Sequence, residues 1–124
     1  MQAWVENGDV FLADDHRVVW NGRVDGKPAV ECWLVPGTTD VIVLLEHEAG
    51  PRNAFGDVVT WPNLVRVARP GSIVWRAEPR QEPGQDRWIA VDFDGEALVA
   101  STWSCWRCTL DVETGRVLRS EFTK

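Results

Sequence analysis

The sequence predicts an all-β protein of about ten short antiparallel strands, forming a sandwich, partial barrel or propeller-like stack with little helix. Three observations carry this. Short β-prone segments alternate with clusters of Gly, Pro, Asn and Asp along the whole chain. No window of roughly 11–18 residues sustains the 3.6-residue apolar spacing of an amphipathic helix. Asp94-Gly95 stands between two alternating runs, and such a pair suits the two positive-φ positions of a type I′ hairpin turn.

In chain order the expected strands are Val10–Ala13, His16–Trp20, Pro28–Val35, Asp40–Glu46, Asn63–Arg69, Ser72–Glu78, Arg87–Phe93, Glu96–Thr102, Ser104–Asp111 and Gly115–Phe122. Pro70-Gly71 and Thr114-Gly115 mark two further hairpins, because glycine adopts positive φ without steric cost. Val41–Leu45 is apolar at every position, which predicts a central strand covered on both faces. Arg87–Phe93 alternates, so Ile89, Val91 and Phe93 are expected on the core side. Val30, Cys32 and Leu34 form a second such face, Trp75 is expected beside Ile73, and Trp106 beside Cys108 and Leu110. Two long polar connections, residues 48–57 and 78–86, are of the kind that carries function or moves.

An internal repeat runs through these hairpins. Residues 10–21, VFLADDHRVVWN, align without gaps on 65–76, VRVARPGSIVWR, and 108–120, CTLDVETGRVLRS, form a looser third copy centred on Gly115.

At 124 residues the chain is expected to be one domain, 1–124, with one core. Its longest apolar run, Val41–Leu45, is far short of the roughly 20 residues that cross a bilayer, and its first ten residues have no signal-peptide pattern. The expectation is a cytoplasmic protein with no membrane association. Three cysteines, Cys32, Cys105 and Cys108, suit free thiols in a reducing compartment better than a disulfide framework. The balance of 13 basic and 19 acidic residues, net charge −6, disfavours nucleic acid and favours a basic protein partner.

The stretches NLVRVARPGSIVWRAEP and WIAVDFDGEALVASTWSCWRCTLDVETGRVLRSEFTK, about residues 63–124, resemble the hairpin repeats of β-propeller proteins of the quinoprotein and WD40-like type. The C-terminal part also looks like small bacterial proteins of unassigned function that share Trp103-Ser104, Asp111, Thr114-Gly115 and a closing Phe122-Thr123-Lys124. The resemblance implies a strand-turn-strand scaffold and carries no catalytic residues. About 40 residues per four-stranded blade would give this chain about three blades, fewer than a closed propeller needs. A compact sandwich or barrel is therefore favoured, with homodimerisation as the second way to close sheet edges.

Read as one strand, Ser104–Asp111 would send Cys105 and Cys108 to opposite faces, which excludes a shared metal ion or disulfide. Cys108 and Cys32 read as core residues and Cys105 as a partly exposed thiol. His16 beside a turn and His47 between Glu46 and Glu48 read as solvated strand-end residues. There is no nucleophile elbow, no phosphate loop and no full calcium-loop spacing. The reading is therefore a non-enzymatic protein-binding module with no cofactor or metal. Its most concrete form is an immunity or antitoxin-type protein whose carboxylates cover a cationic toxin. Eight tryptophans and no tyrosine add aromatic surface of the kind interfaces enrich. Candidate contacts are Asp14, Asp15, Glu46, Glu48, Asp57, Trp61, Glu82, Asp86 and Trp103, with Cys105 as an exposed thiol. The alternatives are a small-ligand protein or enzyme with a Trp-lined pocket, and a structural subunit of a larger assembly.

Overall fold

The computed structural model describes residues 1–46, 49–52, 54–55, 58–60, 62–68, 71–79 and 86–123, and among these it has thirteen strands and no helix. Every pairing is antiparallel, so the all-β fold expected from the turn spacing holds. The strands are β1 (Gln2–Glu6), β2 (Asp9–Asp14), β3 (Arg17–Gly22), β4 (Ala29–Leu34), β5 (Val41–Leu45), β6 (Ala49–Arg52), β7 (Val58–Thr60), β8 (Leu64–Ala68), β9 (Ser72–Arg76), β10 (Trp88–Asp94), β11 (Ala97–Thr102), β12 (Trp106–Leu110) and β13 (Val117–Phe122). They group into two compact units, Met1–Glu46 with Leu64–Arg76, and His47–Asn63 with Ala77–Lys124.

In the first unit a β1-β2-β3 sheet and a β4-β5-β8-β9 sheet share one apolar cluster. Val10 and Leu12 of β2 meet Ala29 of β4, Val41, Val43 and Leu45 of β5, and Val65 and Val67 of β8. On the opposite face of β5, Ile42 and Leu44 are also buried, which fits a strand with no polar side. That face carries a buried arginine: Arg66 reaches Asp40 Oδ2 with Nε at 2.9 Å and Nη2 at 2.8 Å. Arg76 likewise holds Asp25 with two donors, at 2.5 and 3.2 Å, and so ties β9 to the tight turn at Asp25-Gly26.

Strand β1 was not among the expected strands, although the signal for it is present. Asn7 and Gly8 have φ of 51° and 81°, the type I′ pattern that an Asn-Gly pair favours, and they join Glu6 to Asp9. Across that hairpin Trp4 stacks on Phe11 with ring centroids 5.4 Å apart. A Cβ on Gly8 would lie 2.9 Å from Pro28 Cβ, because the Gly8 carbonyl is held against β4 by the Ala29 N–H at 2.8 Å. Asp15 and His16, with φ of 51° and 63°, are likewise both turn residues, so β3 starts at Arg17 and not at His16. Part of the 48–57 connection is also strand, since β6 pairs with β7.

The second unit adds the β10-β11-β12-β13 meander to that β6-β7 ribbon. Ala77, Trp88, Val91, Leu98, Ala100, Cys108 and Leu110 are among its buried apolar residues. Trp88 is pinned on three sides: Asn63 Nδ2 donates to its carbonyl at 2.8 Å, its N–H donates to Asn63 Oδ1 at 2.9 Å, and its indole Nε1 donates to the Ala77 carbonyl at 2.9 Å. The β10–β11 turn sits one residue later than expected. Asp94 pairs with Ala97, and of the central pair Gly95-Glu96 only Gly95 has positive φ, 64°, which is the II′ and not the I′ arrangement.

Bulges account for the remaining differences. Val30 is the extra residue between the Ala29–Leu45 and Glu31–Leu44 pairs, and it turns out to solvent while Ala29 takes the core position. Ile89 is extra between Trp88–Thr102 and Ala90–Ser101, so Trp88 is buried where Ile89 was expected and Ile89 is about half exposed, at 49%. Val74 is extra between Arg66–Trp75 and Val67–Ile73, so Trp75 and Ile73 face opposite ways and not together. Val19 and Leu118 are extra in the same manner in β3 and β13. Val19, Val74 and Leu118 each lie three residues after a positive-φ turn residue, His16, Gly71 or Gly115. The three hairpins of the internal repeat thus share a bulge at one aligned position.

The Asn7-Gly8 turn predicts the cost of filling it. Gly8→Ala, at φ 81° and against Pro28, should lower unfolding free energy by about 1–2 kcal/mol or more, read as an earlier urea midpoint.

Candidate functional site

The stretch STWSCWRC does not form the single strand expected over Ser104–Asp111. β11 ends at Thr102 and β12 begins at Trp106, with Trp103, Ser104 and Cys105 as a three-residue hairpin loop. The Cys105 N–H donates to the Thr102 carbonyl at 3.1 Å, and Cys105 itself has φ of 72°. Loops of this length are commonly a type I turn followed by a left-handed residue, a position glycine usually takes. Cysteine has a Cβ there, which costs on the order of 1–2 kcal/mol. The turn is not legible in the sequence, because residues 103–105 include no Gly, Pro or Asn.

What holds the strained loop is a buried polar clamp. Asp86 is only 7% exposed, and Oδ1 accepts the N–H of Arg87 at 2.9 Å and that of Ser104 at 3.2 Å. Oδ2 accepts the Ser104 hydroxyl. With its one proton given to the carboxylate, Ser104 Oγ accepts from the Thr102 hydroxyl at 3.1 Å, and Thr102 Oγ1 accepts the Trp106 N–H at 3.2 Å. From the other side Thr123 donates both its N–H, at 2.8 Å, and its hydroxyl, at 2.9 Å, to the Cys105 carbonyl. Strain of this kind persists only where surrounding bonds over-determine the conformation.

The clamp presents one side chain to solvent. The Trp103 N–H donates to the Arg87 carbonyl at 2.9 Å, and the Arg87 guanidinium lies over the Trp103 ring, 4.5 Å from its centroid. Trp103 is nevertheless 64% exposed. Beside the loop, Trp106 packs against Phe122 in a tilted pair 5.4 Å apart, and Phe122 is 57% exposed. The ensemble is an aromatic knuckle with a cation on it. Its hydroxyls and carboxylate are committed to one another.

Of the residues singled out from sequence, Asp86, Trp103 and Cys105 come together in this loop. Asp86 differs from the surface role expected of it, because burial and three accepted hydrogen bonds occupy its carboxylate internally. Asp14 ends β2 and Asp15 is a central residue of the next turn, both exposed; Glu46, also exposed, follows β5. Glu48, Asp57, Trp61 and Glu82 lie outside the described residues. Arg87 was not singled out, since its pairing with Trp103 is between residues far apart in sequence. None of the three cysteines is in a disulfide; Cys108 is fully buried, with its Sγ 3.6 Å from Ser120 Oγ, and Cys105 is partly exposed.

Among the described residues, shallow grooves lie in at least two places. One of about 250 Å³ crosses the outer face of the β10–β13 sheet between Asp94, Arg107, Thr109, Arg119 and Glu121. The other, of about 180 Å³, lies beside Gln2, Asp15 and His16. Both are smaller than the roughly 300–1,000 Å³ of ordinary ligand pockets, and charged or polar groups line most of each.

Two outcomes follow from this geometry. Cys105→Gly should raise unfolding free energy by up to about 1 kcal/mol in urea denaturation, because glycine meets no penalty at φ 72°. Burial pushes the Cys32 thiol from 9.0 up to about 11. Between those values the unfolded chain releases this proton while the folded one keeps it, so Cys32 makes stability fall as pH rises from about 9 to about 11. Cys32→Ser should flatten that part of a stability-versus-pH curve.

No curated protein sequence matches the chain significantly. Residues 34–122 match a family model described as a domain of unknown function, DUF7957, a segment that runs from the last residue of β4 through β13 and contains the whole Asp86–Cys105 loop.

Proposed function

The chain belongs to the DUF7957 family, and from that premise we propose that it is a non-enzymatic protein-binding module whose contact surface centres on the Trp103 knuckle. One observation carries the reading. A tryptophan 64% exposed, with an arginine over its ring and a buried Asp86 clamp beneath it, is a large apolar side chain held ready in water. Interfaces draw most of their affinity from a few such Trp and Arg residues, and a pre-organised loop loses little entropy on binding. A scaffold loop would gain nothing from a tryptophan left facing solvent and a left-handed cysteine beneath it.

The net charge of −6 supports a basic partner, attracted at long range by exposed carboxylates that include Asp14, Asp15 and Glu46. In its sharpest form this is the immunity or antitoxin mode, a small acidic protein that covers a cationic toxin.

The test is affinity capture from the native host with the tagged protein and its Trp103→Ala variant side by side. The wild type should retain a basic protein at about 50 mM salt and release much of it at about 300 mM. Trp103→Ala should weaken that purified complex by about 30-fold or more, the size of a hot-spot truncation. Asp14→Lys with Asp15→Lys should mainly slow association. A complex indifferent to Trp103→Ala would end the knuckle reading, and one indifferent to salt would end the electrostatic one.

A further inference from the structure

The last strand has an open side. β13 pairs with β12 along one edge and with no strand along the other among the described residues. The Thr123 N–H donates to the Cys105 carbonyl, so the backbone of residue 123 points toward β12. Antiparallel alternation then turns the backbone groups of Glu121 and Arg119 toward β12 as well, and those of Ser120 and Phe122 toward the open edge. The exposed side chains on this strand are of two kinds. Leu118 and Phe122 are 66% and 57% exposed. Arg119 and Glu121, at 73% and 54%, form an ion pair with each other along the strand at 2.5 Å.

Natural edge strands are protected from pairing by charges and bulges, and β13 has both. Its charges, however, are of opposite sign and two residues apart. Such a strand repels a copy of itself in some registers and matches it in one. With Ser120 opposite the partner's Ser120, Arg119 lies opposite the partner's Glu121 and Glu121 opposite the partner's Arg119. Leu118, the bulged residue, then comes level with the partner's Phe122 along the seam. A shift of the centre to Arg119 sets two arginines face to face, and a shift to Glu121 does the same with two glutamates, each destabilising. The centre on Ser120 also brings the outward-pointing backbone groups of one strand onto those of the other, which is the condition for ladder hydrogen bonds.

We propose that β13 is a homodimerisation edge at which two copies pair antiparallel about Ser120, joining two four-stranded meanders into one eight-stranded sheet. The interface is isologous, and the Arg119–Glu121 pair exchanges from within one strand to across two. The proposal does not rest on the Trp103 reading, since its register is set by Arg119 and Glu121 and it is read from mass alone.

Sedimentation equilibrium of the full chain over about 5–200 µM provides the test, with far-UV circular dichroism to verify that each exposed-site variant is folded. Wild type should approach twice 14.0 kDa at the upper concentrations. Arg119→Glu alone places glutamates at both charged positions of each copy, and Glu121→Arg alone places arginines there, so each should stay monomeric. An equimolar mixture of the two variants should recover the doubled mass, and so should the chain that carries both changes. A wild type that stays monomeric throughout, single variants that remain dimeric, or a mixture that stays monomeric would each overturn the proposal. Added salt should shift wild type toward monomer.

Discussion

The burial of Val41–Leu45 on both faces is the constraint from which the first unit follows. A strand with no polar side has to be central, and β5 is central, with β4 on one side and β8 on the other. Each of its five side chains, removed from water, contributes on the order of 1.5–3 kcal/mol. One face supplies Val41, Val43 and Leu45 to the cluster that joins the two sheets. The other carries Ile42 and Leu44 beside a buried arginine, whose charge is met by Asp40. Removal of one member of such a pair leaves a buried charge unmet, so Asp40 and Arg66 are constrained together.

Around that strand the chain repeats one device. A hairpin turns at a positive-φ residue and three residues later bulges, at Val19, Val74 and Leu118. A bulge adds one residue to one side, so every side chain before it changes face relative to strict alternation. Here the device puts Trp75 opposite Ile73 and leaves Leu118 exposed on an open edge. It converts a simple strand-turn-strand pattern into specific surfaces.

The Trp103 loop shows how strain and burial work together. A left-handed cysteine is unfavourable alone, and a buried carboxylate is unfavourable alone. Joined through Ser104 they offset each other: Asp86 gains the donors it needs, and the loop is held in a conformation its sequence does not prefer. The result is a fixed platform for an exposed indole, which is what a protein-binding reading requires of it.

Local chemistry alone determined the all-β class, the apolar central strand and most hairpin positions. Glycine, the Asn-Gly and Asp-Gly pairs and the alternation period act within a few residues and need no partner. Asn7-Gly8 was as legible as Asp94-Gly95, and β1 followed from it. Only the tertiary structure decided which residue of each strand is bulged, because that depends on the register of the neighbouring strand and on what fills the core. Ile89 and Trp88 compete for one buried position, and the bond from Trp88 Nε1 to Ala77 and the clasp of Asn63 favour the tryptophan. The candidate site was hidden for the same reason. The adjacent Asp86 and Arg87 lie far from Ser104 in sequence, and the turn they stabilise has no turn former of its own, so its conformation follows from hydrogen bonds that exist only once the sheet has folded.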